Sequence, residues 1–279
     1  MLLKILNNAQ ILRKPSRILL STASHSLKEQ TVNVGKYNIN FIKVGNGPHN
    51  ILCAPGALGS IWTDFKHQIN GLDRSQFSVV VWDPPGYGKS TPEREFSIDF
   101  YQKDADIAYQ LMKELNIPRY SLLGWSDGGI TSMILAAKYP DTVNKLVIWG
   151  ANSFILPKEL DAYKKIKDVS TWSKQMREPM IELYGEEKFT KYWTKWVETM
   201  EELFRAKNGD VCSELLKNIK TPTLILHGEK DPLVDGVHVS HLHTHITGSR
   251  IHLYPEGKHN IHIRYAEDFN KIVQEFLLK

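Results

Sequence analysis

The stretch GWSDGG, residues 124–129, decides the fold of this chain. It fits the pattern G-x-S-x-G. An apolar run at 120–123, typical of a short buried strand, precedes it, and a helix-forming run at 130–139 follows it. On such a strand-to-helix turn a serine is held in strained backbone geometry with its hydroxyl exposed above a sheet. Glycines at 124 and 128 remove side chains that would collide where the chain reverses so sharply. The pattern alone recurs by chance, but in this setting it predicts that Ser126 is a nucleophile.

The rest of the chain alternates short apolar runs with helical stretches. A hairpin of two strands is predicted at 32–34 and 37–44, and long helices at 98–116 and 265–278. Further strands are predicted at 50–54, 77–82, 120–123, 145–149, 223–227 and 250–254. This alternation predicts an α/β fold with a mostly parallel sheet covered by helices on both faces. In such sheets the chemistry lies at the carboxyl ends of the strands.

Residues 153–220 interrupt the alternation. They contain few strand-like runs, many charged residues and a set of aromatic residues: Tyr163, Trp172, Tyr184, Tyr192, Trp193 and Trp196. We predict a helical cap at 153–220, inserted before the last two strands and between core segments at 29–152 and 221–279. The aromatic residues either line a pocket or form the small core of the cap. For any single one the second interpretation is favoured, because aromatic side chains are usually core residues.

The N-terminal segment 1–28 differs from the remainder. It holds five basic residues and no acid, it is rich in serine from residue 16 to 26, and polar residues interrupt its apolar positions. This composition is typical of a mitochondrial transit peptide and not of a secretory signal. We therefore expect the mitochondrial matrix as the location, with the cytoplasm as second choice. A disordered or surface-helical tail is the alternative interpretation of the segment.

The bulk composition excludes several classes of protein. The chain has 35 Lys and Arg against 31 Asp and Glu, and without residues 1–28 it has 30 against 31, so the basic excess gives no argument for nucleic-acid binding. No apolar run reaches the roughly 18 residues that would indicate a membrane span. Cys53 and Cys212 fit no metal or redox spacing, and we expect both to be reduced. We expect a monomer, with no cofactor and no metal.

A serine nucleophile requires a histidine base and an acid that orients it. His259 follows the last predicted strand directly, in the loop PEGKHN at 255–260, and is the best placed of the eleven histidines. Asp231 follows the preceding strand, in GEKDP at 228–232, where Glu229 is the local competitor. The resulting chain order Ser126, Asp231, His259 is the order of α/β-hydrolase triads.

An oxyanion hole requires two backbone N–H groups. One is expected from the residue after the nucleophile, Asp127, and the other from the loop PGALG at 55–59. Ala57 follows the Pro-Gly turn of that loop and is the predicted donor, with Leu58 as the alternative.

The carboxylate of Asp127 is unusual beside a nucleophile. It lies close to where negative charge develops in the reaction, and two like charges a few Å apart repel by about 1 kcal/mol or more. A substrate with a primary ammonium group near the scissile carbonyl would explain its presence. Alternatively, the side chain turns towards the start of its own helix, where the helix dipole favours acids. The residues alone favour neither interpretation.

Taken together, the motifs resemble those of the valacyclovir hydrolase group, the biphenyl hydrolase-like proteins of the α/β-hydrolase superfamily. The similar stretches span the chain from about residue 50 to its end: WDP at 82–84, GYG at 86–88, LLGWSDGGI at 122–130, VIWGAN at 147–152, HGEKDPLV at 227–234 and PEGKHN at 255–260. The resemblance implies a serine hydrolase of the α/β-hydrolase fold that acts on esters of amino acids, including ester prodrugs, and a link to mitochondria.

Carried over by motif, the resemblance makes Ser126, Asp231 and His259 the triad and Asp127 the residue that binds the substrate amino group. This chain departs from the family at two positions. Pro85 stands where relatives carry arginine, which leaves the conformation of that loop open. Ala57 is smaller than the methionine of relatives, which leaves the size of the acyl pocket open.

Three other functions are alternatives to an amino acid ester hydrolase. A carbon–carbon bond hydrolase of ring-cleavage products has a related capped architecture, but its anionic substrates conflict with Asp127. A general carboxylesterase and a non-catalytic binding protein remain as alternatives, and a lactone or thiolactone with a free amine fits the first function equally well. The residues His238, His241 and His245 could share one helix face, where a solvated surface is favoured over a zinc site.

Overall fold

The computed structural model describes residues 27–279, which contain one mixed sheet of eight strands. The strands are β1 (Gln30–Val34), β2 (Tyr37–Val44), β3 (His49–Ala54), β4 (Phe77–Trp82), β5 (Tyr120–Trp125), β6 (Val143–Trp149), β7 (Thr223–Gly228) and β8 (Arg250–Tyr254). Their order across the sheet is β1-β2-β4-β3-β5-β6-β7-β8. The first two strands form an antiparallel hairpin, β2 runs antiparallel to β4, and all the remaining pairs are parallel.

Helices cover both faces of this sheet. They are α1 (Ile61–Asp64), α2 (Lys66–Gly71), α3 (Phe100–Glu114), α4 (Asp127–Lys138), α5 (Pro157–Lys165), α6 (Lys174–Tyr184), α7 (Glu186–Lys207), α8 (Val237–His245), α9 (Ile261–Arg264) and α10 (Ala266–Leu278). One apolar cluster packs α3 and α4 against the sheet, and a second packs α2 and α10 against it. Strands β4 and β7 are buried along their whole length, as expected for strands covered on both faces. The predicted α/β architecture is confirmed.

The long insertion between β6 and β7 is helical, as predicted. It contains α5, α6 and α7, together with short 3-10 turns at Val169–Thr171 and Ser213–Asn218. In α7, buried residues recur at helical spacing, as in Trp193, Trp196 and Met200, so one face of this helix is turned inward. The domain boundaries at 29–152, 153–220 and 221–279 remain predictions. Most of the predicted transit peptide, residues 1–26, lies outside the described residues.

None of the helices within residues 27–279 combines the length and the apolar character that crossing a membrane requires. Both cysteines, Cys53 and Cys212, are buried free thiols, in agreement with the reduced state expected from the sequence.

The turn between β5 and α4 is as tightly packed as the sequence predicts. An ideal Cβ on Gly124 would lie 2.5 Å from the Gly128 carbonyl oxygen, and one on Gly128 would lie 1.9 Å from the Ala54 carbonyl oxygen. Real Cβ contacts are not this short, so the backbone of α4 can approach the end of β3 only because both positions are glycine. This approach brings Ser126 next to the loop that follows β3.

We predict that Gly128→Ala lowers the free energy of unfolding by about 1–3 kcal/mol or more, because the added methyl group meets backbone that cannot move aside. Gly236→Ala is the matched control, since a Cβ there has no neighbour within 4 Å and the backbone is right-handed helical. Its stability should lie within about 0.5 kcal/mol of wild type. Denaturant titration measures both, and equal stability of the two variants would contradict the packing argument.

Candidate active site

Ser126 occupies the strained turn expected of a nucleophile. Its backbone has φ 54° and ψ −121°, a conformation that non-glycine residues rarely adopt. The strain is held in place from both sides. The Ser126 N–H donates to the Trp149 carbonyl oxygen at 3.0 Å, and the Ser126 carbonyl oxygen accepts from Gly129 N–H at 2.8 Å. The neighbouring strand and the first turn of α4 therefore fix the serine at the carboxyl edge of the sheet.

The predicted base reaches the predicted nucleophile. His259 lies in the loop after β8, and its Nε2 is 3.1 Å from Ser126 Oγ. Its Nδ1 is 2.7 Å from Asp231 Oδ2. With Asp231 ionised, Nδ1–H donates to the carboxylate, so Nε2 carries the lone pair that can accept the serine proton. The structure thus brings together all three residues that the sequence selected.

The acid is held in its ionised form. The Asp231 side chain is 1% exposed, and its Oδ1 accepts N–H bonds from Leu233 at 2.9 Å and Val234 at 3.1 Å. Burial opposes ionisation, but the charge and hydrogen bond of His259 and these two N–H groups outweigh it, so the pKa of Asp231 lies below its ordinary value. An ionised acid here orients His259 and stabilises the imidazolium that forms during catalysis.

A layer of aromatic and histidine side chains supports His259, which the sequence analysis did not anticipate. Trp125 Nε1 donates to the His259 carbonyl oxygen at 2.9 Å, and the Trp125 ring packs on both His259 and His262. His262 is fully buried and its Nδ1 accepts from Trp149 Nε1 at 2.9 Å. Burial, then the nearby charge of His259, lowers the pKa of His262 to about 3, so this second histidine stays neutral and adds no competing charge.

The predicted oxyanion loop lies against the nucleophile. An ideal Cβ on Gly56 would lie 3.3 Å from the Ser126 Cβ. Among the described residues, neither Ala57 N–H nor Asp127 N–H donates to a protein oxygen, so both are available to an oxyanion. The same holds for Leu58, whose φ of 56° is also strained, so the choice between Ala57 and Leu58 stays a prediction.

Asp64 at the end of α1 holds this loop in position. Its Oδ2 accepts the Gly56 N–H at 2.9 Å and its Oδ1 accepts the Thr63 hydroxyl at 2.7 Å. Burial raises the pKa of Asp64 to about 7, against the hydrogen bonds of Thr63 and Gly56, which lower it. No local sequence pattern predicts a role for Asp64, because the four-residue helix that carries it is too short to show periodicity.

The Asp127 carboxylate does not turn towards its own helix. Its Oδ1 accepts the Tyr101 hydroxyl at 2.9 Å, and its Oδ2 accepts Trp196 Nε1 at 2.7 Å. Among the described residues, these two side chains are the donors to the carboxylate, and no backbone N–H of α4 bonds to it. Burial raises the pKa of Asp127 to about 6, although the bonds from Trp196 and Tyr101 and the charge of Arg94 lower it. Its environment is therefore a buried pocket between core and cap.

A buried ion pair lies close to this carboxylate. Arg94 Nη2 donates to Asp104 Oδ2 at 2.6 Å and Arg94 Nη1 to Asp104 Oδ1 at 3.3 Å, so the two groups form a bidentate pair. Arg94, Asp104 and Asp127 line one small cavity. Nη1 also donates to the Pro85 carbonyl oxygen at 2.8 Å, which anchors the loop after β4. Because Arg94 is committed to Asp104, it does not neutralise Asp127.

The cap aromatics divide between the two roles that the sequence left open. Trp172 and Trp193 donate their indole N–H groups to the Ile166 carbonyl oxygen and so belong to the core of the cap. Trp196 instead reaches Asp127, and the Tyr184 hydroxyl donates to the Leu58 carbonyl oxygen at 2.8 Å, beside the oxyanion loop. Two of the aromatics therefore contact groups of the site.

One of the three histidines of α8, His238, does not lie on the solvated face that the sequence favoured, whereas His245 is exposed. His238 is fully buried, and its Nε2 lies 2.9 and 3.0 Å from the two carboxylate oxygens of Glu159 in α5. That expectation is wrong for His238, because its partner lies 79 residues away and leaves no local signal. Among residues 27–279, no group of three or more His, Cys, Asp or Glu side chains is arranged to hold a metal ion.

Comparison with known proteins agrees with the resemblance drawn from the motifs. A family model described as "Serine aminopeptidase, S33" matches residues 49–264. The chain is 46% identical to the human serine hydrolase BPHL over 253 residues, which cover 90% of this chain and 87% of that protein. It is 45% identical to the mouse protein of the same name over 259 residues, which cover 92% and 89%. The predicted family and the predicted serine hydrolase class are confirmed.

More distant relatives share the fold. The Escherichia coli K12 protein named 2-hydroxy-6-oxononadienedioate/2-hydroxy-6-oxononatrienedioate hydrolase is 26% identical over 272 residues, covering 86% of this chain and 91% of that protein. A meta-cleavage product hydrolase from Pseudomonas fluorescens superposes with a TM-score of 0.74 at 21% identity, covering 88% and 96% of the two chains. An enol-lactonase from Burkholderia xenovorans gives 0.70 at 22%, covering 90% and 100%. These structures confirm the α/β-hydrolase fold.

We predict that Ser126→Ala abolishes labelling by a fluorophosphonate probe and lowers ester turnover by roughly 10³-fold or more, because the attacking oxygen is lost. Ser132→Ala is the matched control: Ser132 is a buried serine of α4, the helix that follows Ser126, and its hydroxyl has no hydrogen-bond partner among the described residues. The control should be labelled like wild type. Labelling that survives in Ser126→Ala would place the nucleophile elsewhere.

Proposed function

We propose that this chain, which belongs to the serine aminopeptidase S33 family, acts on esters of α-amino acids that carry a free, protonated amino group. The chain is a serine hydrolase related to BPHL. The observation that carries the proposal is the Asp127 carboxylate, which is buried directly beside Ser126 and forms no salt bridge with any residue from 27 to 279. Esters of amino acids, ester prodrugs among them, and lactones or thiolactones with a free amine share the required chemistry.

Two buried carboxylates near Ser126 differ in how their charge is compensated. Asp104 is compensated by a bidentate arginine, whereas Asp127 is held by two neutral donors, a phenol and an indole. Neutral donors stabilise a carboxylate without cancelling its charge. A substrate ammonium at about 4 Å would gain about 4 kcal/mol at an intermediate dielectric constant of about 20. A buried, uncompensated charge is costly in the free protein, so a cationic substrate group is the natural partner for it.

The position of Asp127 next to Ser126 favours an α-amino group over an amine elsewhere in the substrate. Asp127 follows the nucleophile directly, and consecutive Cα atoms are about 3.8 Å apart. A cation that pairs with Asp127 must therefore lie close to the carbonyl that Ser126 attacks. An α-ammonium group is one carbon away from that carbonyl and meets this requirement. An amine at the far end of a long side chain does not.

The proposed reaction follows the two-step route of serine esterases. His259 Nε2 takes the proton of Ser126 Oγ as this oxygen attacks the ester carbonyl. The N–H groups of Ala57 and Asp127 stabilise the oxyanion, and such donors contribute a few kcal/mol each. The alcohol leaves with the proton from His259, which gives an acyl-enzyme. Water, activated by the same histidine, then releases the amino acid and restores the serine.

A second candidate is a carbon–carbon bond hydrolase, because the Escherichia coli relative is named for that class of substrate. Its name denotes a dicarboxylate. A buried negative group beside the nucleophile repels an anionic substrate, so this candidate is disfavoured here. A general carboxylesterase is the outcome that remains if the amine proves irrelevant.

We predict that wild type prefers phenylalanine or valine benzyl ester to the matching des-amino ester by about 10²-fold in kcat/KM, since an ion pair beside the reacting carbonyl is lost in the des-amino ester. In Asp127→Asn the preference should fall close to one. Asparagine keeps the shape of the side chain, and the Tyr101 hydroxyl can turn to accept from the new amide.

The des-amino ester serves as the internal control, because it reports the triad without the ammonium contact. Asp127→Asn should retain measurable turnover of it. Equal wild-type rates on both esters would contradict the proposed substrate class and leave a general carboxylesterase. A preference that persists in Asp127→Asn would place the ammonium site elsewhere.

The ratio of kcat/KM for the amino ester to that for the des-amino ester should depend on pH. Both esters need neutral His259, so the ratio cancels that requirement. Asp127 is protonated below its pKa of about 6, so the ratio should fall about tenfold per pH unit below this value. It should also fall above about pH 8 as the substrate ammonium loses its proton. Steady-state kinetics from pH 5 to 9 test this, and a flat ratio would contradict it.

A further inference from the structure

The Asp127 carboxylate is held jointly by the core and the cap. Tyr101 in α3 donates to one oxygen at 2.9 Å, and Trp196 in α7 donates to the other at 2.7 Å. Tyr101 is 1% exposed and Trp196 is 5% exposed. A carboxylate offers about four lone-pair sites, so two remain for an ammonium group after both donors have bound. The donors therefore orient the carboxylate and leave it able to accept a substrate.

The indole of Trp196 is fixed before any substrate arrives. Its ring stacks on Trp193 at a centroid distance of 4.9 Å and an interplanar angle of 14°. The Tyr163 ring packs edge-on against it at 5.1 Å and 66°. A side chain locked in this way loses little further rotamer freedom on binding, so its N–H points at Asp127 at low entropic cost.

The neighbouring tryptophan shows that this arrangement is specific to one position. Trp193 lies on the same face of α7 and also donates its indole N–H, but to the Ile166 carbonyl oxygen at 2.8 Å, within the cap. The two stacked indoles therefore have different partners. Trp193 stabilises the cap, whereas Trp196 connects the cap to the charged group beside the nucleophile.

We propose that Trp196 is a specificity-determining positioning residue, which completes the ammonium site from the cap, with Tyr101 as its counterpart from the core. Selection of the substrate amine then requires the cap to be closed over the core, because one of the two donors that hold Asp127 belongs to the cap. The inference rests on the proposed role of Asp127 in binding the substrate ammonium group.

The two donors also keep Asp127 ionised. Hydrogen bonds from Trp196 and Tyr101 lower the pKa of Asp127, in opposition to burial, which raises it. Removal of either donor stabilises the protonated form relative to the charged one. The pKa of Asp127 then rises towards neutrality, and fewer molecules carry the charge at pH 7. A loss of the donor thus acts on both the orientation and the charge of the carboxylate.

The test measures the ratio of kcat/KM for an amino acid benzyl ester to that for its des-amino analogue from pH 5 to 8. The proteins are wild type, Trp196→Phe, Tyr101→Phe and the matched control Trp172→Phe, which removes an indole N–H that donates to the Ile166 carbonyl oxygen at 2.9 Å. Trp196→Phe and Tyr101→Phe should each lower the ratio at pH 7 by about tenfold, as expected for loss of a hydrogen bond to a charged group. Each should also move the acid limb of the ratio to higher pH by about one unit or more.

Trp172→Phe should keep both the wild-type ratio and the wild-type acid limb. A purely structural role for Trp196 would lower turnover of both esters together and leave the limb in place. That result, or a Trp196→Phe ratio equal to wild type, would overturn the inference. Tyr101→Phe is nearly isosteric and carries the same test if Trp196→Phe does not fold.

The outcomes separate this inference from the proposed function. A wild-type ratio near one would overturn both, since no amine would then be selected. A high wild-type ratio that is lost in Asp127→Asn but kept in Trp196→Phe and Tyr101→Phe would leave the proposed function standing and overturn only the role of the two donors.

Discussion

The turn between β5 and α4 accepts no side chain at its two glycines, and the geometry of the active site depends on it. Because Gly124 and Gly128 let the helix approach the end of β3, Ser126 is held at φ 54° beside the loop that offers oxyanion donors. The next residue, Asp127, then has its N–H beside the same loop, and its carboxylate accepts a hydrogen bond from Trp196 of the cap. One short piece of backbone therefore fixes both the nucleophile and the charge beside it.

The buried carboxylates around this turn differ in the groups that compensate their charge. Asp231, Asp104 and Asp127 are buried carboxylates with different kinds of partner. Asp231 is paired with His259, Asp104 is paired with Arg94, and Asp127 receives only neutral hydrogen bonds from the described residues. Removing a charge from water is costly unless a partner is supplied. The lack of a charged partner at Asp127 is the feature on which the proposed cationic substrate rests, and burial raises the pKa of this carboxyl to about 6.

Local patterns in the sequence predicted the strands and the helical insertion. They also predicted the chain order of Ser126, Asp231 and His259, because each of these three residues follows a predicted strand closely. The patterns could not predict contacts made between distant segments. The pattern predicts a solvated face for His238, because its buried partner Glu159 lies 79 residues away along the chain. Trp196 looked like any other cap aromatic, since its bond to Asp127 spans 69 residues. The choice between two orientations of Asp127 needed the fold, because both donors to its carboxylate come from other helices.

The most direct measurement is a crystal structure of the enzyme inactivated by an α-aminoalkyl phosphonate diphenyl ester, which forms a covalent adduct with a serine nucleophile and carries the ammonium group of an amino acid. We expect phosphorus to be bonded to Ser126 Oγ and the ammonium nitrogen to lie about 3 Å from the Asp127 carboxylate. Trp196 and Tyr101 should still donate to that carboxylate. An adduct on Ser126 whose ammonium group points away from Asp127, towards solvent or another acid, would contradict the assignment of Asp127 as the ammonium site.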